Sequence, residues 1–169
     1  GYYRFFSVFA GNETHNTSED DGSALEAFRV STGTTTTTYV SNNAGVPLSG
    51  NRLVAVGSII RENILVQSVD GVSTPTGNVI LRYCYSPSVE VTAAQCASGA
   101  NIFGIDKSET TVALTAGGAD NPGVGVFSIA LGVTVSGYYR FYAAYQGDGG
   151  LNLASYDDGN DEDFRAVNG

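Results

Sequence analysis

The chain has 169 residues and a net charge of −9, with 8 Lys+Arg against 17 Asp+Glu. A surface of that sign repels phosphate backbones and anionic lipid, which argues against nucleic-acid binding, and no run reaches the roughly 18–20 apolar residues of a membrane span. Abundant Gly, Ser and Thr, 10 Tyr and 8 Phe without Trp or Met describe a turn-rich all-β chain, long enough for one domain with a real core.

In chain order, residues 2–10 suit a buried strand and carry Tyr2, Tyr3, Phe5, Phe6 and Phe9. Residues 11–22 read as a polar loop and 24–30, with Phe28, as a short returning strand. The same five letters, Gly-Tyr-Tyr-Arg-Phe, occupy residues 1–5 and 137–141. The echo continues: Asp20-Asp21-Gly22 matches Asp157-Asp158-Gly159, and Phe28-Arg29 matches Phe164-Arg165, with an offset of 136 at both ends (137 − 1 and 164 − 28). A fixed-period echo of this length is a repeat signature. Residues 1–30 are therefore expected to be the closing β-hairpin of a preceding or neighbouring unit, and 31–169 a complete domain. A two-stranded hairpin is marginal alone, and its aromatics need a partner surface. The opening run is a strand rather than a signal peptide, because its echo lies deep inside the chain. Lacking an initiating Met, the chain is expected to be mature or an excerpt.

The threonines at 34–38 predict an edge-like first strand, with a linker between units as the other reading. A turn at 42–47 leads to strands at 51–57 and 61–69. Asp70-Gly71 turns the chain again, and Pro75-Thr76-Gly77 opens a strand over 78–85. There Val79, Leu81, Tyr83 and Tyr85 alternate with Ile80, Arg82 and Cys84. Residues 90–95 allow one helical turn. Strands follow at 110–115 and 124–135, and residues 137–145 and 162–167 form the closing hairpin. Seven to nine strands with frequent turns predict a two-sheet sandwich.

The Pro75-Thr76-Gly77-Asn78-Val79 opening, Cys84 with Cys96 soon after, and the run from Gly137 to Gln146-Gly147-Asp148 resemble bacterial immunoglobulin-like repeat domains. The resemblance covers roughly residues 31–167. It departs at 42–60, and at Phe9-Ala10-Gly11-Asn12, where the second copy has Tyr145-Gln146-Gly147-Asp148. What the resemblance implies is an immunoglobulin-like β-sandwich in an extracellular, cell-surface structural protein such as an adhesin, stalk or array.

Cys84 and Cys96 are the only cysteines, and so close a pair in a chain of this composition reads as a disulfide. Metal binding there would need more ligands, and the single His15 is far away in sequence. Asn12 and Asn16 begin two Asn-x-Ser/Thr triplets, candidate N-glycosylation sites or an ordinary polar loop. Asp157, Asp158, Asp161 and Asp163 are candidate calcium ligands, although the loop does not match an EF-hand; a solvated acidic loop is the simpler reading. No other cofactor is expected. Catalysis fails on inventory, with one His and no nucleophile motif, so the chain is not expected to be an enzyme.

The expected function is end-to-end assembly of like units into a filament, stalk or surface array, with self as the partner and no membrane insertion. Residues 1–30 would complete a neighbouring unit by strand complementation, through Tyr2, Tyr3, Phe5, Phe6, Phe9 and Phe28. The alternative is a carbohydrate- or ligand-binding adhesin module, using tyrosines and acidic loops to hold a surface glycan.

Overall fold

A computed structural model describes residues 2–4, 8–9, 18–19, 27–49, 52–118, 121–157 and 162–169. The chain divides into two compact units, Gly1–Ser31 and Thr32–Gly169. In the first, β1 (Tyr2–Arg4) pairs antiparallel with β4 (Ala27–Arg29), and β2 (Val8–Phe9) with β3 (Ser18–Glu19).

The described residues of the second unit form ten strands and one short helix. One sheet has four strands in the order β10 (Thr115–Ala116), β11 (Val124–Gly132), β7 (Ile59–Ser68), β5 (Thr34–Asn42). The other has the order β6 (Leu53–Ala55), β14 (Asp163–Val167), β12 (Gly137–Tyr145), β8 (Asn78–Ser86), β9 (Asp106–Ala113), with β13 (Ser155–Tyr156) also on β12. All pairs are antiparallel except β14 with β6. The count exceeds the expected seven to nine because β10 and β13, two residues each, are too short to show a period in sequence. The strand expected at 110–115 instead starts at Asp106, since polar Asp106–Thr111 still pairs with Tyr85–Ile80 across the sheet.

One core joins the two sheets. Val40, Ile60, Ile64 and Val66 of the first meet Val79, Leu81, Tyr139, Phe141, Tyr145 and Phe164 of the second. The period of two that sets this is plain in β7, where Ile60, Glu62, Ile64, Val66 and Ser68 are all buried and the residues between them are not. The threonine run is an edge strand, as its β-branched side chains favour. Alternate members tie it to the closing segment: Thr34 donates to the Leu153 carbonyl (2.7 Å), and Thr36 and Thr34 each bond the Ser155 hydroxyl (2.7 Å).

The outer face of β8 and β12 carries a second cluster. Cys84 and Cys96 form a disulfide, buried with Val91 and Ile105. The single helical turn, α1 (Ala93–Ala97), starts at a capping box in which Thr92 and Gln95 bond each other's backbone amides.

Candidate functional site

Two features carry functional content: the closing hairpin with its duplicate, and a group of acids inside the core. The hairpin is formed by β12, β13 and β14. Tyr138 lies opposite Arg165, Tyr139 opposite Phe164 and Arg140 opposite Asp163. Further along, Ala144 lies opposite Tyr156 and Tyr145 opposite Ser155.

The first unit repeats that register. Tyr2 lies opposite Arg29, Tyr3 opposite Phe28 and Arg4 opposite Ala27, each 136 residues before its counterpart (138 − 2, 165 − 29). Val8 lies opposite Glu19 and Phe9 opposite Ser18. These match Ala144–Tyr156 and Tyr145–Ser155 at offsets of 136 on one strand and 137 on the other (144 − 8, 156 − 19). The sequence repeat is therefore a repeat of strand pairing, with its one-residue insertion accommodated before β3 and β13.

Of the residues expected to form the assembly hairpin, Tyr2, Tyr3, Phe9 and Phe28 lie on paired strands. Phe5 and Phe6 are outside the described residues, as are Asn12, Asn16 and His15. In the second unit both edges of the hairpin are occupied, β12 by β8 and β14 by β6. In the first, β1 and β4 form a two-stranded sheet.

Of the tyrosines of β8 and β12, Tyr83, Tyr85 and Tyr139 form a chain of ring contacts with Phe141 and Phe164, centroids 4.8–5.7 Å apart, while Tyr138 and Tyr142 on the other face lie against Arg165 and Arg82. Tyr145 donates its hydroxyl to the Thr76 carbonyl (2.7 Å). Burial pushes that hydroxyl up to about 12, with the nearby Asp148 charge adding to it. The two motifs that stand out in sequence thus touch. At Gly77, with φ +88°, a Cβ would lie 2.9 Å from the Gly147 carbonyl oxygen.

The acids gather between the sheets. Glu62 occupies a core-facing position of β7, and Glu162 sits one residue before β14, in phase with core-facing Phe164 and Ala166. Both are 0% exposed, and neither carboxylate meets a hydrogen-bond donor. Asp157 approaches from the end of β13 and accepts a hydrogen bond from the Thr38 amide (2.8 Å).

Burial, then the charge of Asp157, pushes Glu62 well above the usual carboxylate range. Burial, then the charges of Glu62 and Asp157, pushes Glu162 up to about 10 against the opposing field of Arg140. Arg140 is itself buried, with Nε on the Val91 carbonyl (2.5 Å) and a terminal nitrogen 3.7 Å from Asp163.

Of the four candidate calcium ligands, the two described residues, Asp157 and Asp163, face opposite ways. Asp163 faces away from the core and pairs with Arg52 (2.5 Å), while Asp157 bonds Thr38 on the core side. Asp158 and Asp161 lie outside the described residues. Among the described residues no group of three or more His, Cys, Asp or Glu side chains is placed to hold a metal ion. Sequence reasoning missed Glu62 and Glu162. The available signal was a glutamate in the apolar phase of Ile60, Ile64 and Val66.

No family model matches the chain, and no curated protein matches it. Solved structures of β-glucosidase from Listeria innocua are similar in part. The complex with glucose is 11% identical over 79% of this chain and 16% of that chain, at a TM-score of 0.34. The complex with isofagomine is 12% identical over 78% and 16%, also at 0.34. The chain spans about a sixth of the length of those proteins, and a likeness of that TM-score carries no argument about activity.

Among the described residues no helix is long and apolar enough to cross a membrane. The disulfide fits an oxidising compartment.

Proposed function

We propose that the protein is an extracellular structural protein whose immunoglobulin-like units join end to end into a filament, stalk or surface array. The N-terminal hairpin is the closing hairpin of a neighbouring unit. The observation that carries this reading is the repeated register, Tyr3 opposite Phe28 as Tyr139 is opposite Phe164. A duplicated hairpin needs the strands that flank its counterpart. In the second unit those are β8 and β6, and both already hold a hairpin. The first hairpin therefore belongs with another such pair, in a preceding unit of a longer polypeptide or in a separate subunit. Ladder hydrogen bonds and buried aromatics make such a join.

The protein works without catalysis. The acids that come together, Glu62 and Glu162, are sealed from solvent where no substrate reaches them.

The experiment is the mass and assembly state of the polypeptide from its natural source. A denatured mass several-fold above 17.6 kDa, or a chain of that mass that sediments as a polymer, is expected. A chain of that mass that sediments as a monomer overturns the reading.

A further inference from the structure

Four strands form the edges of the second unit's two sheets, and they differ in how they are protected. β10 is two residues long and β6 three. β5 is longer, but Thr34 and Thr36 hold the closing segment along it at Leu153 and Ser155. β9 (Asp106–Ala113) runs for eight residues with neither Pro nor Gly, and among the described residues it pairs only with β8. A bare edge of that length offers its free backbone groups to another strand.

The two faces of β9 differ. Ser108 and Thr110 lie opposite Tyr83 and Leu81 on the face toward the other sheet, and such small polar side chains do not fill the space there. A gap of about 300 Å³ remains between the sheets, lined by Leu81, Tyr83, Ile129 and Leu131 beside Ser108 and Thr110. Ile129 is 36% exposed in it, although it lies opposite buried Glu62. Lys107 and Glu109 stand on the outer face, opposite Cys84 and Arg82. The Lys107 amine directs two of its three donors to the Ser98 and Ala100 carbonyls (2.8 and 2.6 Å). Glu109 accepts from Arg82 on one oxygen (2.6 Å), and its side chain is 51% exposed. Each keeps capacity for an opposite charge.

We propose that two copies of this chain pair edge to edge through β9, antiparallel about a twofold axis at Ser108. Directly opposite residues of an antiparallel pair share a face, and their charges set the register. A twofold at Lys107 or at Glu109 would put like charges against each other. At Ser108 it sets Lys107 against the partner's Glu109 and Asp106 against the hydroxyl of the partner's Thr110, each twice by symmetry. The order of the sheet then continues from β9 into the second copy, whose edge lies across the apolar gap and takes Ile129 out of water. Phe103, fully exposed in the turn that leads into β9, falls at the end of the register, beside the partner's Ala113. The contact is isologous and closes at two copies. It uses none of the hairpin residues, so it goes beyond the end-to-end join and ties units side by side.

The test is sedimentation equilibrium of the full chain at neutral pH, up to a chain concentration of about 1 mM. Dimerisation that weakens as salt is added is expected. Lys107→Glu and Glu109→Lys each set like charges across the twofold and should weaken it by at least about tenfold. An equimolar mixture of those two variants should dimerise as the parent does, because opposite charges face each other again. Ser108 is exposed, so Ser108→Lys should keep the fold, read by circular dichroism, while two like charges on the axis abolish the pairing. That variant leaves an end-to-end join through the hairpin untouched, so the two contacts fail separately. A parent with no dimerisation at any concentration overturns the proposal, as does a mixture of the two charge variants that stays monomeric. Dimerisation that persists unchanged in Ser108→Lys also overturns it, by placing the interface elsewhere.

Discussion

The rings of Tyr139 and Phe164 lie 4.8 Å apart and within 3° of parallel, stacked across a rung that the N-terminal hairpin repeats as Tyr3 opposite Phe28. In the second unit that rung is anchored on every side. Tyr139 donates to the Val135 carbonyl (2.6 Å) and packs against Tyr85, and Phe164 is 2% exposed. Phe164→Ala should therefore cost about 3–5 kcal/mol, read from urea unfolding followed by tyrosine fluorescence.

Breaking the Cys84–Cys96 disulfide opens a loop with a sequence separation of 12 and should lower stability by about 2–3 kcal/mol. The loss extends beyond chain entropy, because the same excursion supplies the Val91 carbonyl that receives buried Arg140. The double variant Cys84→Ser/Cys96→Ser, compared with the parent by urea denaturation, measures it. An unchanged midpoint would mean that Val91 and Ile105 hold the excursion without the covalent link.

The pH profile should run opposite to that of an ordinary acidic protein. Glu62 and Glu162 are held above their unfolded values, Glu162 at about 10. Their contribution is fully present below the unfolded value near 4.5 and is lost as pH rises through the folded value. Across that window each retained proton costs up to about 1.4 kcal/mol per pH unit. Melting temperature should therefore fall as pH is raised from about 5 to about 9. Asp148 acts in the other sense. Burial pushes it up, but hydrogen bonds from Asn152 and Gly150 outweigh burial and hold it low. Its contribution fades only as pH falls through that lowered value.

At the Thr76–Tyr145 contact, Tyr145→Phe should cost about 0.5–1.5 kcal/mol by loss of one hydrogen bond. Gly77→Ala should cost about 1–3 kcal/mol, since it meets both a positive φ and the Gly147 carbonyl. The double variant should fall short of the sum, because both residues act on one contact. A thermodynamic cycle in urea checks the shortfall.

What was legible in the sequence follows from what is periodic in it. The phase of Val79, Leu81, Tyr83 and Tyr85 is the core-facing phase of β8, and the echo at offset 136 is a shared strand register. Short β10 and β13 have no period to read, and Asp106–Thr111 is too polar to announce a strand held by its neighbour. The acids were missed for another reason. Charge density drew attention to 157–163, but a strand sends alternate residues to opposite faces. Asp163 turned outward to Arg52, while Glu162 turned inward to meet Glu62, 100 residues away (162 − 62). Only the packing of two sheets brings them together.

On the proposed function, residues 1–31 are a closing hairpin of the same kind as residues 137–169. The most direct measurement takes a fragment of residues 32–136, which lacks its closing strands, and adds a peptide of residues 1–31, following thermal unfolding by circular dichroism. The fragment should gain a cooperative transition with that peptide, as it does with a peptide of residues 137–169. Rescue by residues 137–169 but not by residues 1–31 would contradict it.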